Sequence, residues 1–238
     1  NPAVEAAVKL DRLGLDRVEE ADEAVSFGSM LSLEQVRQAC LERGTATPTL
    51  RALADTLRAD QPETLRHTMT LGDLLVERDA QSLTLALLLA LGATVRRLDQ
   101  AMHLTVASWL SAEEDLARCL IADVSVPLGE TQAGVGIEKV SRTPADAPIV
   151  AAVAYVEMSD DDRPAYSALA LVGVADRAVR QDGVARALDE TGDVERALEA
   201  LAVDPPSDHW GSAEYRAEMA RVTARRALIA AMAQARTA

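Results

Sequence analysis

Three apolar runs in the second half of the chain constrain its fold more than any other feature. They read VGIEKVSR, IVAAVAYVEM and YSALALVGVA, and the polar segment SDDDRPA joins the last two. Short runs rich in Val, with polar turn residues between them, are typical of neighbouring antiparallel strands. The three runs therefore predict an antiparallel meander, and the helical patterns around it predict helices that back this sheet.

The segments after the meander have a helical pattern. DVERALEALAV precedes the break at Pro205 and Pro206, and a closing helix is predicted from Ser212 to about Ala235. Four of its larger apolar and aromatic residues fall on one face, as expected of an amphipathic helix. They are Tyr215, Met219, Val222 and Ile229.

The first half of the chain alternates between strand-like and helical patterns. The stretch from Val18 to Phe27 is strand-like and leads into a helix in which Ser32 and Gln35 form a capping box. A second helix is predicted at roughly Leu50–Arg58. SLTLALLLALGATVRRL then predicts a buried helix that ends at Gly92 and continues into a strand.

One further helix and strand complete the first half. SAEEDLARCLIADVSVPL predicts a helix capped by Ser111 and Glu114, followed by a strand. The pattern changes between Pro127 and Ala133, so we place a domain boundary there. The prediction is an α+β fold: a truncated α/β-type domain over residues 1–130 and, over residues 131–238, a domain of three antiparallel strands backed by helices.

Composition excludes several classes of partner. The net charge of −14 would repel a nucleic-acid backbone over most of the surface. The longest apolar run, Leu83–Leu91, is shorter than the roughly 20 residues that span a bilayer, and no signal sequence opens the chain. Cys40 and Cys119 have no CxxC spacing, so neither a metal site nor a disulfide framework is predicted. We expect no nucleic acid, no membrane and a cytoplasmic location.

The sequence contains no recognisable catalytic constellation. GxSxG, HExxH, GxxxxGK[ST] and GxGxxG are all absent. His67, His103 and His209 lie far apart without matching carboxylates, and the run Asp160–Asp162 lacks the alternating ligands of a calcium loop. We therefore predict no catalytic residue and no metal site in this chain.

Two sites in the sequence could contact an anionic ligand. In TLGDLLVERD, a threonine and a glycine at a turn could bring backbone N–H groups to a phosphate, yet the next residue is Asp73. Lys139 interrupts an apolar strand pattern, where a lysine can pair with an anion or simply extend to solvent. The candidate positions are Thr70, Leu71, Gly72, Asp73 and Lys139.

The closing stretch PPSDHWGSAEYRAEMARVTARRAL resembles the C-terminal domain of the flavoprotein, or medium, subunits of molybdenum hydroxylases. Seven residues carry this part of the resemblance. They are Ser207, Asp208, Ser212, Ala213, Tyr215, Arg216 and Arg225. Earlier segments of the same family are similar to KLDRLGLDRVEEADEAVSFGSMLSLEQV, TPTLRALADTL and GIEKVSRTPADAPIVAAVAYV. The resemblance implies that residues 1–130 are the second subdomain of an FAD-binding-type domain and that residues 131–238 are a C-terminal domain of the carbon monoxide dehydrogenase flavoprotein type.

The resemblance gives the turn a context, because family members carry a Thr-x-Gly-Gly-Asn segment whose glycines approach the FAD pyrophosphate. Five positions fit the family pattern: Leu65, Arg66, Thr70, Leu71 and Gly72. Five depart from it: His67, Asp73, Leu74, Ala80 and Leu83. A carboxylate facing a diphosphate costs about 1 to 4 kcal/mol at a separation of about 4 Å. The turn is thus predicted to be the vestige of an FAD site.

The resemblance implies a large molybdopterin-binding subunit and a small [2Fe–2S] subunit as partners in a hetero-oligomer. The leading hypothesis is a structural medium subunit that has lost FAD, with no cofactor expected in this chain. The alternative is a genuine FAD-binding electron-transfer subunit, whose first FAD subdomain, with its Ala-Gly-Gly turn, is missing here or supplied by another chain. A third hypothesis is an interaction module unrelated to redox chemistry.

Overall fold

The computed structural model of the chain describes residues 9–43, 47–99, 102–112 and 119–238. Its strands are β1 (Val18–Glu20), β2 (Ala24–Gly28), β3 (Thr94–Arg97), β4 (His103–Thr105), β5 (Ile121–Pro127), β6 (Ala133–Val140), β7 (Val150–Met158), β8 (Pro164–Val172) and β9 (Val179–Arg180). Its helices are α1 (Leu33–Arg43), α2 (Pro48–Asp60), α3 (Glu63–Thr68), α4 (Leu71–Glu77), α5 (Leu83–Ala90), α6 (Val106–Ser111), α7 (Asp182–Thr191), α8 (Val194–Ala197) and α9 (Ala213–Ala235), with a 3-10 turn at Leu198–Ala200. Helices and antiparallel sheets together confirm the α+β class.

The first sheet has the strand order β1-β2-β5-β3-β4, and every neighbouring pair is antiparallel. The predicted single strand from Val18 to Phe27 is instead a hairpin, in which Val18 lies opposite Phe27. The N–H of Ala21 donates to the Ala24 carbonyl at 2.9 Å and closes the turn. The polar residues between the two apolar runs therefore reverse the chain rather than extend it.

Helix α5 joins the two halves of the molecule. Every residue of α5 is buried, and the core around it combines Leu87 with Val124 of β5 and Val153 of β7. The predicted buried helix is confirmed, as is the strand that follows Gly92, whose φ is +70°. Helix and sheet thus share one continuous apolar core, and the helix has no face left for solvent.

The second sheet has the order β6-β7-β8-β9, again with antiparallel neighbours only. The three predicted strands are present, and β9 adds a short fourth one. In α9, the predicted apolar face is wrong, because Tyr215 is 41% exposed and Ile229 is 48% exposed. The side chains that face the sheet are mainly alanines. They are Ala220, Ala224, Ala227, Ala231 and Ala235.

Two glycines of β6 explain why α9 presents alanines to the sheet. A Cβ on Gly134 would lie 2.1 Å from the carbonyl oxygen of Ala231, and one on Gly136 would lie 1.9 Å from that of Ala227. The helix backbone therefore rests directly on the strand backbone. Side chains larger than alanine do not fit where the two backbones meet. Leu228 and Met232 of α9 are nevertheless buried in the same apolar cluster.

Most of the helix predicted to begin at Ser111 falls on residues 113–118, outside the described residues. The structure corrects only the predicted role of Ser111 as its N-cap. Ser111 is the last residue of α6, and its hydroxyl donates to the Ala107 carbonyl at 2.7 Å. The N-cap of α6 is Thr105, whose hydroxyl oxygen accepts from the Ser108 N–H at 3.1 Å. The predicted partner Glu114 lies outside the described residues. Within the described ranges, no helix has both the length and the hydrophobicity to cross a membrane.

Candidate cofactor-binding turn

The turn at residues 70–73 is the N-terminus of α4, and Thr70 is its N-cap. The Thr70 hydroxyl oxygen accepts from the Asp73 N–H at 3.1 Å. In return, Asp73 Oδ2 accepts from the Thr70 N–H at 2.9 Å and from the Thr70 hydroxyl at 2.8 Å. Threonine and acid therefore form a reciprocal capping box, in which Asp73 satisfies donors that a helix start leaves open.

The remaining N–H groups of the turn also have acceptors inside the chain. Leu71 donates to the Leu31 carbonyl at 2.9 Å, and Gly72 donates to the Ser29 carbonyl at 2.8 Å. The N–H of Leu74 donates to the Thr70 carbonyl at 3.2 Å, as the first full helical bond. All five consecutive N–H groups from residue 70 to residue 74 thus donate within the protein.

Gly72 packs closely against Ser29. A Cβ at this position would lie 3.1 Å from the Ser29 carbonyl oxygen and 3.3 Å from the Ser29 Cβ. Contacts this short are tighter than ordinary Cβ contacts, so the chain after β2 would have to move. The close approach that a glycine permits is made here to the protein's own backbone.

Two further positions that depart from the family pattern are part of the hydrophobic core. Leu74 and Leu83 are 1% and 2% exposed, and both belong to the core cluster around α5. A buried leucine offers no hydrogen bond to a ligand. The two positions therefore stabilise the fold through apolar burial.

Lys139 lies on β6, opposite Ala151 of β7. Its ammonium group donates to the carbonyl oxygens of Pro144 and Asp146, at 2.8 and 3.3 Å. These bonds hold the loop between β6 and β7. The contacts of Lys139 thus involve a different part of the molecule from the contacts of the turn at Thr70.

Arg66 and Glu34 form a buried ion pair beside the turn. Arg66 Nε donates to Glu34 Oε2 at 2.7 Å, and Arg66 Nη1 donates to the Gln61 carbonyl at 2.7 Å. Glu34 also accepts from Arg37 and Gln38. Hydrogen bonds from Arg37 first, then from Arg66 and Gln38, lower the pKa of Glu34 to about 2 against the opposing effect of burial. The arginine of the family pattern therefore anchors α3 on α1.

The closing segment that carries the C-terminal resemblance is also built on one buried arginine. Arg216 Nη2 donates to both carboxylate oxygens of Asp208 at 2.8 Å. Its Nη1 donates to the carbonyl oxygens of Ile149 and Gly173, each at 2.7 Å. Asp208 in turn accepts from the N–H of Trp210 at 2.8 Å. This network fastens the segment before α9 to the ends of two strands.

Comparison with protein families accounts for both halves of the chain. Residues 1–129 match the model of the FAD binding domain in molybdopterin dehydrogenase. Residues 137–231 match the CO dehydrogenase flavoprotein C-terminal domain. The chain therefore belongs to the family of molybdopterin dehydrogenase subunits that carry these two domains. The resemblance to medium subunits of molybdenum hydroxylases is thereby confirmed, and the chain is a medium-subunit homologue of that type of oxidoreductase.

Solved structures show the same fold as this medium-subunit homologue. Reconstituted CO dehydrogenase from Oligotropha carboxidovorans superimposes with a TM-score of 0.79 at 22% identity, covering 92% of this chain and 79% of that one. CO dehydrogenase from Hydrogenophaga pseudoflava gives the same values. Quinoline 2-oxidoreductase from Pseudomonas putida 86 has a TM-score of 0.75 at 20% identity, covering 93% and 79%. No curated protein matches this chain.

One residue of the medium-subunit homologue that sequence reasoning missed is Asp60, at the end of α2. Its carboxylate accepts from the N–H groups of Leu83 and Thr84, both at 3.0 Å, and from the hydroxyls of Ser82 and Thr84, both at 2.8 Å. A second helix N-terminus is thus occupied by an acid of the same chain. No local motif signals this contact, because Asp60 precedes Ser82 by 22 residues.

The histidines of this homologue do not converge. His103 Nδ1 lies 3.4 Å from the Thr94 hydroxyl, and the His209 ring lies 4.8 Å from that of Trp210. In the part of the chain that the structure describes, no group of three or more His, Cys, Asp or Glu residues could hold a metal ion.

Proposed function

We propose that this chain is a structural medium subunit of a molybdenum hydroxylase-type assembly and that it does not hold FAD at the turn formed by residues 70–73. One observation carries the proposal. Every N–H from Thr70 to Leu74 donates to an acceptor within the protein, and one of those acceptors is the Asp73 carboxylate.

The chemistry of a diphosphate explains why this observation weighs against FAD. A phosphate at a helix N-terminus is held by free N–H groups and by the positive end of the helix dipole. Here the Asp73 carboxylate already interacts with that end of α4. A diphosphate would have to break the capping box and approach an anion in the same small space. The residues of the turn therefore do not fit the pyrophosphate of FAD.

The alternative is a genuine FAD-binding subunit that transfers electrons from iron–sulfur clusters to an acceptor. It is favoured by the match of residues 1–129 to the FAD-binding-domain model. Under this alternative, Thr70, Gly72 and Lys139 would be candidate contacts of the cofactor. Binding would require the Asp73 side chain to leave its partners at Thr70.

The partners in this proposal are a large molybdopterin-binding subunit and a small [2Fe–2S] subunit. Support comes from the family match and from the structural similarity to CO dehydrogenase and quinoline 2-oxidoreductase. The CO dehydrogenase structure from Hydrogenophaga pseudoflava lacks the Mo-pyranopterin moiety of the molybdenum cofactor, and this names that cofactor as one the enzyme takes. A cytoplasmic assembly agrees with two cysteines that are both free thiols.

Native purification of the tagged chain from its source tests this function. We expect it to elute with a larger and a smaller subunit, with molybdenum and iron detected in the same fractions by elemental analysis. The fractions should show iron–sulfur absorption, and the FAD released by acid should be far below one equivalent per chain. A chain that elutes alone would contradict the assembly, and one equivalent of FAD would support the alternative.

A further inference from the structure

We propose that the outer edge of β6 binds an extended, acidic segment of a partner subunit as an additional strand of the second sheet. The inference rests on the proposed function, since it names the surface through which the medium subunit meets its assembly. Strand β6 ends the sheet order β6-β7-β8-β9 and spans eight residues. A sheet edge of this length carries a row of backbone donors and acceptors.

Two hydrogen bonds establish which residues of β6 face outward. The N–H of Met158 donates to the Gln132 carbonyl at 2.9 Å, which places the even-numbered residues in the ladder with β7. The N–H of Val135 donates instead to Gln234 Oε1 of α9, at 2.9 Å. Because hydrogen-bonded residues alternate in an antiparallel pair, Ile137 and Lys139 also point their N–H and C=O groups away from β7.

The outward groups of these two residues are open. Gln234 covers the N–H of Val135, but no side chain or backbone group among the described residues accepts from the N–H of Ile137 or Lys139. Lysine commonly protects an edge by projecting its charge across it. Here the Lys139 ammonium is turned toward the loop carbonyls of Pro144 and Asp146.

Charge at this edge favours an acidic partner. Lys139 near the end of β6 and Arg142 just after that strand both contact neutral groups. Lys139 binds carbonyl oxygens, while Arg142 donates to the His209 carbonyl at 3.1 Å and lies 4.4 Å from the centre of the Trp210 ring. Neither forms a salt bridge within the described residues. A carboxylate on the added strand would supply a counter-charge to these two cations.

Substitution of Ile137, whose N–H points outward, tests the edge of β6 without removing a hydrogen bond between β6 and β7. Ile137→Pro removes an N–H that the β6–β7 ladder does not use, and proline is tolerated at such edge positions. Ile137→Ala is the matched control, since it shortens the same side chain and keeps the N–H. Both variants are titrated into the other subunits of the natively purified assembly, and far-UV circular dichroism checks their folding.

We expect Ile137→Pro to bind about tenfold more weakly than wild type, because the proline removes a hydrogen bond and obstructs the added strand. Ile137→Ala should bind within about twofold of wild type, as expected for a residue outside the energetic centre of an interface. Equal binding by the proline variant and wild type would overturn the inference alone. A wild-type chain that binds no subunit would overturn the proposed function as well.

Hydrogen exchange of the wild-type chain tests the same edge without any substitution. The amides of Ile137 and Lys139 should exchange rapidly in the isolated chain and become protected in the assembly, while those of Gly136 and Glu138 are protected in both. Unchanged exchange at Ile137 and Lys139 in the assembly would overturn the proposal. Protection that appears in the chain alone as its concentration rises would overturn it in favour of a second copy.

Discussion

The turn at residues 70–73 and the segment from Asp208 to Arg216 both match patterns of the same family. The closing segment keeps the polar residues of that pattern, whereas the turn has lost several of them. In the closing segment, Arg216 is paired with Asp208 and also donates to the carbonyl oxygens of Ile149 and Gly173, which adjoin two strands. In the turn, Thr70 and Gly72 are retained, and each has a partner in the protein's own backbone or side chains. Retained residues in both regions therefore stabilise the fold. Family membership follows from them, whereas cofactor binding does not.

The two regions also differ in burial, and this difference decides how strongly substitutions should act. Arg216 is 3% exposed and binds three separate groups, whereas Asp73 is exposed and its carboxylate accepts from Thr70. A buried network loses several contacts at once when one member is removed. An exposed cap loses a local contact that water can replace.

The largest effect is expected for Arg216→Met. The variant leaves the carbonyl oxygens of Ile149 and Gly173 without a donor and Asp208 without its counter-charge. Breaking a buried ion pair costs about 3–5 kcal/mol, and because the Asp208 side chain is 38% exposed we expect the lower end of that range, which urea unfolding would measure. The control is Arg225→Met, because Arg225 and its partner Glu195 are each 56% exposed. Similar losses of unfolding free energy in both variants would contradict the expected difference between buried and exposed contacts.

Glu34→Gln should have the next largest effect. It removes the charge that pairs with Arg66 and Arg37. We expect the free energy of unfolding to fall by about 1.5–3 kcal/mol, the contribution of a hydrogen bond to a charged group. Since folding lowers the pKa of Glu34 from 4.5 to about 2, its contribution is complete above pH 4.5 and is lost as the pH falls toward 2. Urea midpoints at several pH values should therefore differ most near neutrality and converge in acid. A difference that is independent of pH would contradict this assignment.

Gly136→Ala tests the close contact between β6 and α9. The added Cβ would lie 1.9 Å from the Ala227 carbonyl oxygen, so helix and sheet must separate. Overpacking of this kind costs about 1–3 kcal/mol in thermal or urea unfolding. Gly183→Ala is the control, since its nearest new contact would be 3.5 Å away and alanine favours a helix. Equal stability of Gly136→Ala and wild type would show that alanines on α9 have another cause.

The smallest effect is expected in the turn itself. Asp73→Asn weakens one half of an exposed capping box. We expect the free energy of unfolding in urea to fall by about 1 kcal/mol, which is typical for the loss of a helix cap. Asp55→Asn is a matched control on an exposed ion pair with Arg51, where the loss should be about 0.5 kcal/mol or less. A loss of several kcal/mol for Asp73→Asn would mean that the turn is as tightly coupled to the core as Arg216 is.

Local patterns predicted most of the elements, and contacts between distant segments account for what was missed. The capping box of Ser32 and Gln35 and the apolar runs of the second sheet are local features, and both are present. The face of α9 depends on Gly134 and Gly136, which lie almost a hundred residues earlier. The partners of Asp73 are local, but those of Gly72 come from the chain after β2. Sequence could therefore indicate an altered turn without revealing which groups occupy its donors.

The most direct test of the central claim is a flavin-binding measurement on the purified chain. Protein incubated with excess FAD and then desalted should retain no visible flavin band, and calorimetric titration should give no saturable heat. This is the expected result if the N–H groups of residues 70–74 all donate within the protein and the Asp73 carboxylate accepts from Thr70. A flavin band near one equivalent per chain would contradict the account.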